Sequence, residues 1–362
     1  MTLIASYLHI FISSYLHKTF GASMVGDLLT SNEKLHLKEQ LPLPARLDGS
    51  RPSDATHVIG MAQKLNLISP TFAIAWAGSK FTAQSILREL RLKLPYPKNE
   101  NEVFEFIDTL GYSKDDLDDV VLTFLIYGEA QGDIAKISSG SHNCQPRQVN
   151  EDLRIKFAGT GAYHFFDSVE IEKLASRGAA TGFHDFFASL ISRGAISFYS
   201  EHQNWGNYTF SYGGSFEYIQ PRVGHWVKVP YSVVFWKKEG EKFIPVNPIT
   251  IHTYKPDGTL VIDQVLPSPE GMQSRRFLVE TIFGDQSPKQ SQIALPLSHG
   301  FSVHYIIEDE ARPVRDNGEI KAKISTQIYW GEDQPCQIKF SGNSVEIELH
   351  PELLNLSTTG PG

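Results

Sequence analysis

The sequence has few cysteines and no run of basic residues, and these absences exclude several classes of protein. Cys144 and Cys336 are the only cysteines among 362 residues. Two distant cysteines form no CxxC motif and cannot provide a disulfide framework. The net charge of -8, without any Lys- or Arg-rich run, argues against a nucleic acid or an anionic membrane surface as partner. Free thiols are typical of a reducing compartment, so we expect a cytoplasmic protein.

Motifs for metals and cofactors are also absent from the sequence. Its 13 histidines form no HxxxH or HExxH motif and no His/Cys cluster. Surface or core positions are therefore the expected places for these side chains. We expect no metal and no cofactor.

The apolar segment at residues 2–16 lacks two properties of a signal peptide or membrane anchor. It has no positively charged start, and His9 interrupts it. It is also shorter than the roughly 20 apolar residues that a membrane-spanning helix needs. β-branched and aromatic residues are plentiful, which favours strands. We therefore expect a strand at residues 1–8 and no membrane partner.

Hydrophobic periodicity predicts strands that alternate with pairs of helices. Ser79 is a good helix N-cap before an apolar stripe, and prolines follow the stripe. The predicted helices are residues 80–93, 101–110, a segment from the Gly159-Thr160-Gly161 turn to residue 175, and 183–199. Strands are predicted before, between and after these pairs, among them 21–29, 57–61, 71–77, 120–127, 154–158 and 216–220.

Helices in consecutive pairs do not fit alternating βαβ crossovers, so a doubly wound parallel sheet is disfavoured. The pattern favours two stacked sheets, each covered by helices: a four-layer αββα sandwich over residues 1–222. From residue 223 to 356 we predict strands without long helices, as a β-rich domain or an extension of the sheets. Asp257-Gly258 predicts a hairpin turn in this part. Residues 357–362 are a predicted tail.

One segment carries the strongest functional signal. Residues 63–90 contain a lysine, an apolar strand, an Ala-Gly-Ser turn and a helix: QKLNLISPTFAIAWAGSKFTAQSILREL. This segment resembles proteasome β-type subunits of the N-terminal nucleophile hydrolases, with Lys64 and Gly78 at the family's lysine-to-glycine separation. The opening MTLIA and the Val25-Gly26-Asp27 strand end are similar to the family as well. The resemblance covers about residues 2–220.

The resemblance implies a catalytic threonine and its supporting residues. Thr2, freed by removal of Met1, would be the nucleophile, and its own α-amine the base. Lys64 would lower the pKa of that amine, and Asp27 would hold Lys64. A backbone N–H at Gly78 would stabilise the oxyanion. Ser79 and Thr160 would contact the substrate.

Three functional hypotheses follow. The first is a threonine-type hydrolase of peptides or other amides, expected to form a homo-oligomer. The second is a catalytically inactive, proteasome-like scaffold or partner-binding subunit. The third is a β-rich binding module whose first half resembles the family by chance. Retention or removal of Met1 separates the first two, because a retained Met1 blocks the α-amine.

Overall fold

The structure is a computed structural model in which 23 strands and three helices are described. The described residues are 4–9, 21–31, 58–127, 137–144, 146–148, 153–158, 215–222, 224–239, 242–245, 249–268, 271–283, 301–307, 315–316, 319–320, 324–330, 336–341 and 344–349. The predicted helices after residue 159, the predicted tail, Thr2 and Thr160 lie outside these ranges.

In the described ranges the secondary structure is mainly strands, and the three helices lie within residues 80–118 of the N-terminal part. The helices are α1 Lys80–Lys93, α2 Glu100–Thr109 and α3 Lys114–Asp118. The N-terminal strands are β1 Ile4–His9, β2 Gly21–Asp27, β3 Leu29–Ser31, β4 Val58–Met61, β5 Leu65–Ser69, β6 Phe72–Gly78, β7 Val120–Tyr127, β8 Ile137–His142, β9 Pro146–Gln148, β10 Leu153–Ala158, β11 Phe216–Arg222 and β12 His225–Lys228. The C-terminal strands are β13 Tyr231–Glu239, β14 Lys242–Pro245, β15 Ile249–Tyr254, β16 Leu260–Ser268, β17 Gly271–Val279, β18 Phe301–Ile307, β19 Arg315–Asp316, β20 Glu319–Ile320, β21 Ile324–Trp330, β22 Cys336–Ser341 and β23 Ser344–Leu349.

The described N-terminal strands form two larger antiparallel sheets and a two-stranded pair, β3-β4. The first has six strands in the order β12-β11-β2-β1-β10-β9, and the second has four in the order β5-β6-β7-β8. β1 lies between β2 and β10, with Ile4 opposite Gly26 and also opposite Ala158. The beginning of β1 therefore lies beside the end of β2.

Side-chain size alternates along β6 and determines how the layers pack. Phe72, Ile74 and Trp76 are buried against the helices, in one cluster with Ile86, Leu87 and Leu90 of α1. The alanines between them pack on the other face, against residues of the six-stranded sheet that include Met24 and Trp226. Because successive strand residues point to opposite faces, one apolar run serves both interfaces. Phe72 and Trp76, both in the strand predicted at residues 71–77, are fully buried.

Helix α1 begins and ends as its sequence predicts. The Ser79 side chain accepts a hydrogen bond from the Thr82 backbone N–H and caps the first turn. Arg91 and Lys93 lie in the last turn, where positive charge interacts favourably with the helix dipole. The apolar stripe then faces the four-stranded sheet.

The C-terminal part is built on a seven-stranded sheet. Six of its strands follow the order β17-β16-β15-β13-β18-β21, and β14 pairs with β13. The β13–β18 pairing is parallel and the others are antiparallel. Asp257-Gly258 forms the predicted turn between β15 and β16, where Gly258 has a φ of 86°. The domain boundary at residue 222 stays a prediction, although β11 and β12 on either side of it pair in the first sheet.

The predicted four-layer αββα sandwich is wrong. The described part of the chain consists mostly of antiparallel sheets, with three helices that all belong to one layer on the four-stranded sheet. Among the described residues, Leu28, which follows β2, packs with Leu260, Ile262 and Val279 of the C-terminal sheet. Consecutive pairs of predicted helices therefore did not predict the order of the layers correctly. The reason is that strands as well as helices can cover the faces of a sheet.

Membrane-spanning helices are absent from the ranges given above, since no described helix has the length and apolar character needed to cross a bilayer.

Candidate functional site

Asp27 and Lys64, which are 37 residues apart, form a buried ion pair. Lys64 Nζ lies 2.7 Å from Asp27 Oδ1, and neither side chain has any exposed surface. Both residues were predicted from the sequence as members of a catalytic site, and the structure brings them into contact. Burial of two charges without hydrogen bonds and mutual attraction would be strongly unfavourable, so this contact is an important constraint on the fold.

The positions of the two residues follow from the stacking of the sheets. Asp27 is the last residue of β2 in the six-stranded sheet. Lys64 directly precedes β5 in the four-stranded sheet, and its carbonyl accepts a hydrogen bond from the Trp76 backbone N–H, 3.1 Å away. The pair therefore connects the two sheets at one end of their interface.

Burial and neighbouring charges act in opposite directions on Lys64. Loss of water lowers the pKa of Lys64 below its ordinary value of 10.5, whereas the carboxylates of Asp27 and Glu217 raise it. Burial is the larger effect. Buried groups whose pKa values are perturbed by burial and by a specific charged partner cluster at functional sites.

Glu217 is a second buried carboxylate beside Lys64. Its Oε1 accepts hydrogen bonds from the backbone N–H groups of Lys64 and Leu65, at 2.5 and 2.6 Å. Its Oε2 lies 3.0 Å from Lys228 Nζ. Burial also lowers the pKa of Lys228, while Glu217 opposes that change. Asp27, Lys64, Glu217 and Lys228 thus form a buried cluster of two negative and two positive groups, named here the charge cluster.

Gln63 connects the charge cluster to the C-terminal sheet. Its Oε1 accepts a hydrogen bond from Lys228 Nζ. Its Nε2 donates to the carbonyls of Gly258 and Val279, at 2.9 and 2.7 Å. The side-chain amide therefore uses its acceptor on one part of the molecule and its donors on the other.

A further polar group lies where β11 begins. Ser215 Oγ is 2.5 Å from His252 Nε2, and the His252 ring stacks on Tyr231 with ring centroids 4.1 Å apart. The Tyr231 hydroxyl donates to the Phe216 carbonyl at 2.7 Å. Phe216 is the residue opposite Asp27, so this group lies next to the charge cluster. Burial lowers the pKa of His252 to about 3, and the backbone of Tyr231 opposes this change.

Gly78 and Ser79 form the tight connection from β6 to α1. Gly78 has a φ of 85°, and a Cβ atom there would lie 2.1 Å from the Asp119 carbonyl oxygen. Only glycine fits such a position without a shift of the backbone. Ser79 Oγ is engaged with the first turn of α1, through the Thr82 backbone N–H and the Thr82 hydroxyl. Their predicted roles in oxyanion and substrate binding stay predictions.

Thr2 and Thr160 lie outside the described residues, so their predicted roles also stay predictions. The described part of β1 nevertheless fixes where the chain enters the sheet. Ile4 pairs with Gly26, next to Asp27. The first described residue of the chain is thus at the end of the sheet that carries the ion pair.

Sequence analysis did not identify Glu217, Lys228 or Gln63 as site residues. The segment from Gly213 to Glu217 favours a tight turn between strands over a ligand-binding loop, and neither interpretation singles out Glu217. A usable signal was present, because Glu217 and Lys228 interrupt the apolar strands FEYI and HWVKV. A charge inside an apolar strand is a candidate for a buried, paired group.

Comparison with protein-family models and with curated protein sequences found no match to this chain. In the described residues, no group of three or more His, Cys, Asp or Glu side chains is arranged to hold a metal ion. The functional argument therefore depends on the geometry of the charge cluster.

Proposed function

We propose that this chain is a hydrolase of peptides or other amides whose nucleophile is the hydroxyl of Thr2, freed as the first residue by removal of Met1. The observation that carries the proposal is the fully buried contact between Lys64 Nζ and Asp27 Oδ1 at 2.7 Å. The residues of this pair are those that the resemblance to proteasome β-type subunits implies. The proposal uses that resemblance for the site alone and not for the four-layer architecture.

The strand pairing supports a place for Thr2 near this ion pair. Ile4 lies opposite Gly26, the neighbour of Asp27. Thr2 precedes Ile4 by two residues, a span of at most about 7 Å in an extended chain. A positive charge on Lys64 at such short range would disfavour protonation of the Thr2 α-amine. The amine would then be available as a base near neutral pH.

The proposed chemistry has two steps. The α-amine of Thr2 takes the hydroxyl proton while Oγ bonds to the amide carbonyl carbon, and the C–N bond then breaks as the leaving amine receives that proton. The product is an ester between Thr2 and the acyl group. Water then adds to the ester, its proton passing through the same amine, and the acid leaves with the threonine hydroxyl restored. The Gly78 N–H is the proposed donor to the oxyanion in both steps.

A peptide epoxyketone probe tests this proposal, because such a probe requires a hydroxyl and a free amine on the same residue. Intact-mass analysis of the purified full chain should show loss of Met1 and one probe per chain. Thr2→Ala should abolish labelling. Lys64→Met should reduce the labelling rate by roughly 100-fold, within the range expected for a residue that tunes a catalytic base.

Lys93→Met is the matched control, since it removes a lysine from an exposed ion pair with Glu89. It should label at the wild-type rate. Circular dichroism of each variant separates loss of reactivity from loss of fold. Retained Met1, or labelling that survives Thr2→Ala, would rule out the proposed nucleophile and favour the inactive scaffold. The expected homo-oligomer and cytoplasmic location stay predictions.

A further inference from the structure

Glu217 holds the backbone at Lys64 while Asp27 holds the side chain. The Lys64 backbone nitrogen lies 2.5 Å from Glu217 Oε1, to which its N–H donates. At the other end of the residue, Lys64 Nζ lies 2.7 Å from Asp27 Oδ1. The neighbouring N–H of Leu65 shares the same Glu217 oxygen. A lysine side chain has four rotatable bonds, so a fixed backbone and a fixed ammonium are both needed to define its position. The two carboxylates come from adjacent strands, β2 and β11.

Lys228 gives Glu217 its own positive partner. Lys228 Nζ lies 3.0 Å from Glu217 Oε2, and it lies 5.2 Å from the centre of the Tyr254 ring. Without Lys228, the negative charge of Glu217 would act on Lys64 without compensation. With Lys228, the charge cluster has formally no net charge, which reduces the cost of its burial.

Titratable groups from several strands face this cluster in the described part of the chain. They include the members Asp27 on β2, Glu217 on β11 and Lys228 on β12. The Tyr254 ring on β15 lies 5.2 Å from Lys228 Nζ, and Tyr231 on β13 and His252 on β15 are hydrogen-bonded to each other beside Phe216. Burial and the negative charge of Glu217 raise the pKa of Tyr254 well above its ordinary value, so it is neutral near pH 7. Burial keeps His252 neutral there as well. Among these described groups, the four members of the charge cluster are the ones that carry charge.

We propose that Glu217 is a positioning residue for Lys64, and that Glu217 and Lys228 together set the electrostatic field in which Lys64 and the Thr2 amine act. The effect on Lys64 follows from contacts in the structure, whereas the effect on Thr2 rests on the proposed function. The C-terminal sheet takes part in this arrangement, because Gln63 ties Lys228 to the carbonyls of Gly258 and Val279.

Opposite charge changes should move the titration of Lys64 in opposite directions. Glu217→Gln removes a negative charge and keeps the shape of the side chain. The titration midpoint of the Lys64 amine should therefore fall by about one pH unit or more. Lys228→Met removes a positive charge, so the midpoint should rise. The double variant Glu217→Gln/Lys228→Met restores a neutral cluster and should return it close to the wild-type value.

The 13Cε resonance of Lys64 in lysine-labelled full-length protein reports this midpoint, with Lys64→Met used for assignment. Lys228→Met leaves the hydrogen bonds from the Lys64 and Leu65 backbone N–H groups to Glu217 intact. It therefore tests the electrostatic effect on Lys64 even if Glu217→Gln fails to fold. Asp263→Asn is the control, because it removes a carboxylate from the exposed ion pair with Arg276. That control should leave the Lys64 midpoint in place. Shifts in the same direction, or no shift in either variant, would overturn the inference.

The pH profile of probe labelling gives a second measurement that depends on the proposed function. The acidic and the basic limb of the pH profile should both move to lower pH in Glu217→Gln and to higher pH in Lys228→Met. A purely structural role would lower the rate without moving the limbs. If the wild-type protein does not label while the Lys64 midpoints still move in opposite directions, the proposed function fails and the positioning of Lys64 by Glu217 stands.

Discussion

Ser215 Oγ and His252 Nε2 lie 2.5 Å apart and join the start of β11 to β15. Each side chain is almost completely buried, and Ser215 has a φ of 111°. A non-glycine residue in that region of backbone space is strained, so the surrounding contacts must hold it there. The hydrogen bond therefore belongs to the junction between the six-stranded sheet and the C-terminal sheet.

Acid should weaken this junction through His252. Burial lowers the pKa of His252 to about 3, whereas the unfolded chain has its ordinary value near 6.5. Between these values the unfolded state binds a proton that the folded state does not, so stability falls as pH falls through this window. The loss should approach about 1.4 kcal/mol per pH unit. Urea denaturation from pH 7 to pH 4 measures it.

His252→Gln provides the comparison for that measurement. It removes the titrating group, so its unfolding free energy should depend less on pH across the same window. Equal slopes in wild type and His252→Gln would contradict the assignment of the acid sensitivity to His252.

The Asp27–Lys64 pair should behave as a coupled unit in stability measurements. Asp27→Asn or Lys64→Met alone leaves a buried charge without its main partner and should cost about 3–5 kcal/mol. The double variant removes both charges and should cost clearly less than the sum of the single variants. Denaturant unfolding of the four proteins at pH 7 gives the coupling free energy. Asp263→Asn/Arg276→Met, at an exposed pair, should show coupling below about 1 kcal/mol. Additive losses at Asp27 and Lys64 would contradict the buried contact.

Gly78 and Gly111 offer a matched test of backbone constraint. Both have positive φ, 85° and 71°, but only at Gly78 does an added Cβ meet a carbonyl oxygen. Gly111→Ala should cost about 1–2 kcal/mol from conformation alone. Gly78→Ala should cost more, since Asp119 must also move. Thermal unfolding of both variants shows which substitution loses more stability. Equal losses of stability in Gly78→Ala and Gly111→Ala would mean that the contact with Asp119 is unimportant.

The large side chains of β6 should dominate the packing against α1. Trp76 is 1% exposed, and its truncation to alanine should cost about 3–5 kcal/mol. Phe81, on the outer side of α1, is 84% exposed, so Phe81→Ala should change stability by less than about 0.5 kcal/mol. Chemical denaturation of the two variants decides this. A large loss in Phe81→Ala would show that its face of α1 is covered in solution.

Local features of the chain could be predicted because short-range chemistry encodes them. The Ser79 cap and the apolar stripe predicted α1 at its observed bounds, and β7 matches its predicted range of 120–127. Strand β17 was not predicted, since its Arg275 and Arg276 break the apolar alternation expected of a strand. The hairpin turn at Asp257-Gly258 followed from the conformational freedom of glycine.

The layer arrangement could not be predicted in the same way. Hydrophobic periodicity along a helix or strand indicates which of its faces is apolar. It does not indicate which other element packs against that face. Leu28 is covered by Leu260, Ile262 and Val279, more than 200 residues later in the chain, and no local pattern indicates this partner. For that reason the four-layer αββα prediction was wrong.

By itself, the sequence determined local features such as the Ser79 cap, helix α1 and strand β7. Its resemblance to proteasome β-type subunits implied Asp27 and Lys64 as partners. Only the tertiary structure decided that their charges meet, and that Glu217 and Lys228 join them. The physical reason is the separation along the chain: Lys64 and Glu217 are 153 residues apart. Sheet pairing and stacking, which depend on the whole core, bring such residues together, whereas periodicity and capping act over only a few residues.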